Sequence, residues 1–337
     1  MTSLTETSTA KPPQIDSYPP TVLAPGTPLP PDPQVGPAHD PHYLVRHWRG
    51  ELSLPVSYWV NGSLIGLVYG LLLKGANAAI DNIEGLGARS VGVLTLAMFL
   101  GLAALGTWQL VGIWRSACKH AARGGSRGWA ITAQVLVILG ALRLGLALVG
   151  QVPTSIVALS LIRGTDDTPA AEVSLADGGQ AIEVWGGFEY GTTARTRALL
   201  GKAPHAKLIV LNSPGGFVAE GVRMGNLIHE KSLATTTTEK CASACVLAYL
   251  AGTKRTLAPD ARLGFHQGSI GGRGNRTSST PFSDALRARG TPEAFIERML
   301  ATPPAHMWYP TPEELLDAHV ITSLPPSGPD EPASTSN

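Results

Sequence analysis

The sequence predicts two unlike halves: a bundle of about three transmembrane helices, then an α/β domain with a mainly parallel sheet. Two observations carry the first half. Only 15% of the 337 residues are charged and mean hydropathy is positive, +0.10; the charges also avoid three long apolar stretches. One observation carries the second half. From about Val173, short apolar runs alternate with stretches of helical spacing, the pattern that builds parallel sheets through right-handed crossovers.

In chain order, the first forty residues hold ten prolines and almost no apolar periodicity. Such a segment cannot bury enough surface to offset its ordering entropy, so residues 1–45 are expected to be disordered. It has no basic start, apolar core and cleavage site, and so does not read as a cleaved signal peptide.

Residues 46–163 form the expected membrane region. Pro55 to Leu73 is uncharged over nineteen residues and Val91 to Trp114 over twenty-four, while Gly128 to Gly150 is interrupted only by Arg143. A helix crosses a hydrocarbon core of ~30 Å in about 20 apolar residues. Spans are therefore expected over about 55–73, 91–114 and 128–150. The competing reading, core helices of a soluble protein, fits poorly because uncharged runs this long are rare there. Tyr58, Trp59, Trp108, Trp114 and Trp129 fall near the expected ends, where aromatic belts form. Arg143, seven residues from the end of its run, can snorkel to the interface; an intramembrane charge is also a functional candidate. Val152 to Ile162 is apolar but short, which favours three crossings and leaves a fourth open.

Loop charges set the expected orientation. Arg115, Lys119, Arg123 and Arg127 follow the second span with no acid among them, whereas Lys74 and Arg89 share the earlier loop with Asp81 and Glu84. The positive-inside bias then puts the second loop and the N-terminus in the cytoplasm. The domain after Arg163 lies outside, periplasmic if there is a second membrane. The expected setting is multi-pass, in a bacterial inner membrane.

The domain of residues 173–324 reads as strands at Ala181–Trp185, Lys207–Leu211, Ala234–Thr238 and Leu263–His266. Helices are expected at Phe217–Lys231, Ser243–Ala251, Pro281–Arg289, Pro292–Ala301 and Thr311–Ala318. Gly268 to Thr280, rich in glycine, serine and threonine, reads as a mobile loop. Residues 325–337 read as a disordered tail. With 26 basic against 25 acidic residues, nothing favours a phosphate-seeking surface, so nucleic acid is not an expected partner. Three cysteines without zinc-site spacing predict neither a metal nor a disulfide scaffold, and no nucleotide-binding loop or other cofactor motif stands out.

The chemistry gathers in three runs: Ser213-Pro-Gly-Gly216, Cys241-Ala-Ser-Ala-Cys245 and Gly264-Phe-His-Gln267. A serine hydroxyl needs a base to take its proton and donors to hold the oxyanion it creates. Ser243 stands at a helix start among small residues, His266 follows in a strand, and Gly215 and Gly216 permit backbone shapes that aim N–H groups at a substrate. Taken singly, each has a plainer explanation: a packing serine, a structural histidine, a turn.

Together with YPTPEELLDAHVI at Tyr309 to Ile321, the segments LNSPGGFVAEGVRMGNLI and CASACVLAYLAGTKRTLAPDARLGFHQ resemble the Clp-type serine peptidases of the ClpP/crotonase superfamily. They resemble more closely still that group's exported, membrane-linked bacterial relatives. The resemblance spans roughly residues 182–324 and leaves out the membrane half. It implies a ClpP/crotonase-like β-α superhelix, with Ser243 as nucleophile, His266 as general base, and the N–H groups of Gly216 and Ala244 as oxyanion hole. It also implies peptide substrates held by strand addition and a tendency to homo-oligomerise. The superfold hosts other activities too; its acyl-CoA branch has no use for a Ser–His pair.

One departure matters. Where the Clp pattern has an aspartate that orients the histidine, this sequence has His306 at about that position. Three arrangements stay open: His306 as third member, another acid such as Asp284 swung in, or a Ser–His dyad of reduced or no activity. Cys241 and Cys245 flank the serine. Residues four apart on one helix seldom reach disulfide geometry, but Cys241 precedes the expected helix start, so pairing stays open on an oxidising face against the ordinary reading of buried thiols. The expected function is a membrane-anchored ClpP-like serine peptidase. The rival is an inactive pseudo-peptidase that binds peptides or scaffolds partners.

Overall fold

The computed structural model describes residues 42–326 except 84. The disorder expected of 1–41 and 327–337 lies outside those residues. The helical half comprises α1 (Tyr43–Trp48), a π-helical stretch (Val56–Leu64) running into α2 (Ile65–Asn82), α3 (Ala88–His120), α4 (Arg127–Gly150) and α5 (Val152–Arg163). Three helical stretches, Val56–Ala76, Ala88–Arg123 and Arg127–Gly150, are long and apolar enough to cross a membrane.

α1 corrects the expectation for residues 43–45, which are helical. Polar contacts hold it, which is why no apolar periodicity announced it. Tyr43 Oη donates to Asn61 Oδ1 at 2.8 Å, and His47 Nδ1 lies 2.9 Å from Asn61 Nδ2. His47 is fully buried and packs on Trp108. Gly112 makes room for the imidazole, since a Cβ there would run into the ring. Further polar pairs tie the bundle: Ser57 Oγ to Ser116 Oγ at 2.8 Å, and Gln109 Nε2 to the Asn61 carbonyl at 2.7 Å. Small residues and side-chain hydrogen bonds are what bind helices where the outer surface is apolar.

α5 begins directly after α4, with Pro153 in its first turn, and stops at Gly164 in the left-handed region. Its 12 residues span about 18 Å at 1.5 Å each, too short for a fourth crossing. It lies against the start of α3, where a Cβ on Gly92 would sit 2.5 Å from the Ala158 carbonyl oxygen.

The second half contains β1 (Glu172–Ala176), β2 (Ala181–Trp185), α6 (Thr192–Lys202), β3 (Leu208–Asn212), α7 (Val218–Glu230), β4 (Ala234–Thr237), β5 (Lys240–Ala242), α8 (Ala244–Leu250), β6 (Arg255–Leu257), β7 (Arg262–Gly264), β8 (Ser269–Ile270), β9 (Arg273–Gly274), α9 (Arg276–Ala288), α10 (Glu293–Ala301) and α11 (Pro312–Asp317). The main sheet runs β1-β2-β3-β4-β6. β1 is an antiparallel edge and the remaining pairs are parallel, as the alternating pattern predicted. A separate parallel pair joins β5 to β7.

β2 and β3 supply Ile182, Val184, Ile209 and Leu211 to the core, against Met224, Leu227 and Ile228 of α7 and the wholly buried α8. α7 and α8 touch closely at Gly221, where a Cβ would collide with the Ala244 carbonyl. Residues 268–280 are not the loop the sequence predicted. β8 and β9 form a hairpin, and α9 starts five residues earlier than expected because the Asn275 side chain accepts from Ser278 N and caps it.

Candidate functional site

The site is built where three strand ends meet. β3 ends at Asn212, whose Oδ1 accepts from Thr237 Oγ1 and from the N–H groups of Thr238 and Glu239, while its Nδ2 donates to Glu183 and Thr238. That buried amide ties β3 to the chain leading into β5. Just beyond it, Ser213 N–H donates to the Lys240 carbonyl at 2.7 Å and Ala242 N–H to the Ser213 carbonyl at 3.0 Å. The Ser213–Gly216 loop is thus stitched along β5.

Its other edge is held by Phe188. Phe188 N–H donates to Gly215 O and Phe217 N–H to Phe188 O, both at 2.8 Å. These bonds use the groups flanking Gly216, so Gly216 N–H points the opposite way and meets no backbone acceptor among the described residues. Glycine is required at both central positions. Gly215 and Gly216 have φ of +110° and +147°. A Cβ on Gly216 would lie 2.5 Å from the Phe188 oxygen, and one on Gly215 would lie 2.7 Å from Ser243 Cβ.

Ser243 is the elbow between β5 and α8, with φ +53° and ψ −127°. For a residue with a side chain such a conformation costs roughly 1–3 kcal/mol and persists where the surroundings over-determine it. Ser243 N–H donates to Gly264 O at 3.0 Å and Val246 N–H to Ser243 O at 2.9 Å. Ala244 N–H, the first of α8, has no backbone acceptor among the described residues. Cys241 and Cys245 are joined as a disulfide with Cα atoms 5.4 Å apart. This corrects the buried-thiol reading. Cys241 lies in the strand and Cys245 in the helix, so the spacing rule for a single helix does not apply.

His266 follows β7, and its backbone is pinned on both sides. Phe265 and Trp308 exchange backbone bonds of 2.8 and 2.9 Å, and Gln267 N–H reaches Thr302 O at 3.0 Å. Phe265, Phe295 and Trp308 pack as an aromatic cluster behind it. The imidazole Nε2 stands 2.7 Å from Ser243 Oγ. If Nε2 accepts from the hydroxyl, the ring proton is on Nδ1, a tautomer assigned by role. Burial pushes the His266 pKa below the ordinary imidazole value, with the Gln267 backbone opposing.

His266 Nδ1 is buried with no hydrogen-bond partner among the described residues. Of the three arrangements left open, neither His306 nor Asp284 reaches the ring. The turn closed by His306 N–H on Pro303 O carries His306 to the surface, and Asp284 is an exposed residue 3.8 Å from Arg287. What the fold brings together is a Ser–His dyad.

Sequence reasoning missed two supports. Asn212 is one; the signal available was an amide ending an apolar strand directly before the glycine turn. The other is Glu220 of α7, fully buried, which accepts from Gly191 N, Thr193 N and Thr193 Oγ1 and pairs with Arg223 at 2.5 Å. It fixes α6 against the helix that follows Gly216.

Beside the Gly215–Gly216 turn runs a groove of about 550 Å³, walled by Ile156, Val157 and Ser160 of α5 and by the hairpin tip at Gly271–Gly272. No cluster of three or more metal-ligating side chains occurs among the described residues.

No family model matches the chain, and no curated protein does. Among solved structures the chain is similar to an Asn-to-Asp mutant of ClpP1 from Listeria monocytogenes. That similarity has 19% identity and a TM-score of 0.34, over 43% of this chain and 90% of that one.

Proposed function

We propose that the protein is a membrane-anchored serine peptidase of the ClpP-like kind, working through a Ser243–His266 dyad. The observation that carries this reading is the 2.7 Å contact between His266 Nε2 and Ser243 Oγ, made by a serine on a strained elbow. Ser243 Oγ attacks the scissile carbonyl while His266 Nε2 takes its proton. The oxyanion is received by the N–H groups of Gly216 and Ala244. His266 then protonates the leaving amine, and water, activated by the same imidazole, releases the acyl group. Among the described residues no carboxylate bonds His266 Nδ1, and loss of that partner lowers turnover by about 10⁴ in a full triad, so a slow enzyme is expected.

The groove beside α5 receives the peptide. In this reading α2, α3 and α4 cross the cytoplasmic membrane of a bacterium with the N-terminus inside, and the α/β domain works as a homo-oligomer on the outer face on unfolded or membrane-proximal chains. The test is labelling of the full-length protein in detergent with a fluorophosphonate. Labelling that disappears in Ser243→Ala supports the hydrolase; an unlabelled parent defeats it.

The bare His266 Nδ1 favours a second reading, a pseudo-peptidase that holds peptides without cutting them. Peptide binding that persists in Ser243→Ala, with no turnover by the parent, would select it.

A further inference from the structure

The Cys241–Cys245 bond brackets the nucleophile. Cys241 is the central residue of β5 and Cys245 the second residue of α8, and both are fully buried. The covalent ring therefore runs from strand through elbow into helix, with Ser243 at its midpoint. Apart from it, the elbow is held by two backbone hydrogen bonds, to Gly264 and from Val246, and by contact with Gly215.

Loop length decides what the bond is for. Chain-entropy stabilisation by a disulfide grows with the size of the loop it closes, and this loop has five residues, with a sequence separation of 4. The gain in global stability is near the bottom of the usual range. The local effect is large, because the ring constrains the residue whose φ is +53°. The constraint also acts where the imidazole has no partner on Nδ1, so the Ser243–His266 geometry depends more heavily on the serine side.

We infer that the Cys241–Cys245 disulfide is a positioning device for the nucleophile, locking the β5–α8 elbow so that Ser243 Oγ stays within reach of His266 Nε2. The inference rests on the hydrolase reading for its catalytic consequence, not for the lock itself. Because both sulfurs are buried, the bond is installed as the domain folds. The two thiols give up two protons and two electrons to a disulfide-exchange partner or to dioxygen, in an oxidising compartment.

The experiment compares full-length parent with Cys241→Ala/Cys245→Ala in detergent, measuring amide hydrogen exchange over residues 241–247, fluorophosphonate labelling rate, kcat and KM on a peptide, and Tm. Exchange at residues 243–247 is expected to rise about tenfold or more. Labelling and kcat should fall about tenfold or more with KM unchanged, while Tm drops by only a few degrees. A uniform loss of protection and Tm together would show an ordinary structural staple and overturn the inference, as would parent-like exchange in that window. An unlabelled parent whose variant still loosens at 243–247 defeats the hydrolase reading and leaves the lock standing. If the alanine pair does not fold, parent reduced with dithiothreitol in mild denaturant, where the buried bond opens to the reagent, and returned to native buffer with reductant gives the same comparison; the reagent leaves as its cyclic disulfide. Alkylation mass spectrometry then confirms free thiols at Cys241 and Cys245 in addition to Cys118, and parent-like exchange in that preparation also overturns the lock.

Discussion

In the α/β half the largest fully buried side chains are apolar, Ile182, Leu211, Met224 and Phe265 among them, beside a hydrogen-bonded polar set such as Thr196, Glu220 and Thr235, whereas in the helical half the described side chains at zero exposure are His47, Ser57, Asn61 and Ser116. The large apolar residues of the helical half face outward: Leu67, Leu71, Leu142 and Leu146 are each more than three-fifths exposed. The balance of what is buried thus differs between the halves, although the helical half keeps a small apolar cluster of Leu54, Ile113, Ala117, Ala133 and Val137. Where water surrounds the fold, burying leucine and phenylalanine drives compaction. Where the surroundings are themselves apolar that drive vanishes, and close-packed small residues with interhelical hydrogen bonds hold the helices instead. The strained Ser243 elbow and the His266 imidazole both lie in the α/β half.

Four measurements would break or sharpen this contrast. Ser243→Ala should abolish peptide hydrolysis, by at least about a thousandfold, and leave the melting of both halves unchanged; a large Tm loss would mean that the residue is structural. Leu211→Ala, in a wholly buried position, should lower stability of the α/β domain by about 2–5 kcal/mol, read by thermal or denaturant melts.

The third measurement is a pH profile. Burial lowers the His266 pKa, so the neutral base survives below the ordinary imidazole value of about 6.5. Activity should be level above that value and fall about tenfold per unit only once pH drops through the lowered folded value. An acid limb at or above 6.5 would contradict a buried base. The linkage has the same sign: as pH falls below 6.5 the unfolded histidine takes its proton first, and stability declines from there. The smallest effect is expected from Leu142→Ala. At 62% exposure on α4 it should cost under about 0.5 kcal/mol in detergent. A loss matching that of Leu211→Ala would show that α4 is buried against a partner and not against lipid.

The two halves also differed in legibility. Uncharged length is a one-dimensional signal, so α2 to α4 could be read directly. The glycine turn, the small-residue serine run and the histidine could be read because each is a local requirement: φ above zero at Gly215 and Gly216, space at Ala242 and Ala244. Unreadable features were those whose logic is three-dimensional. α6 went unseen because its inward face is Thr192, Thr193, Thr196 and Leu200, a mostly polar stripe satisfied by Glu220 at Thr193 and by backbone carbonyls at Thr192 and Thr196. β6 has three residues, too few for a period. His306 occupied about the expected place in the sequence, but the Pro303 turn sends its side chain outward, and no spacing rule reports a turn's direction. The disulfide stayed one of two open readings because it depended on the helix boundary falling between its cysteines, as it does.

α5 has one further consequence. Gly92 lets the Ala158 carbonyl lie directly on α3, and Pro153 rests 3.5 Å from where a Cβ of Gly271 would be. The α/β domain therefore joins the helical half through a stiff bracket, not a leash. Tilting α3 would carry the hairpin rim of the groove with it, so the groove keeps a fixed height and heading relative to the helical rods.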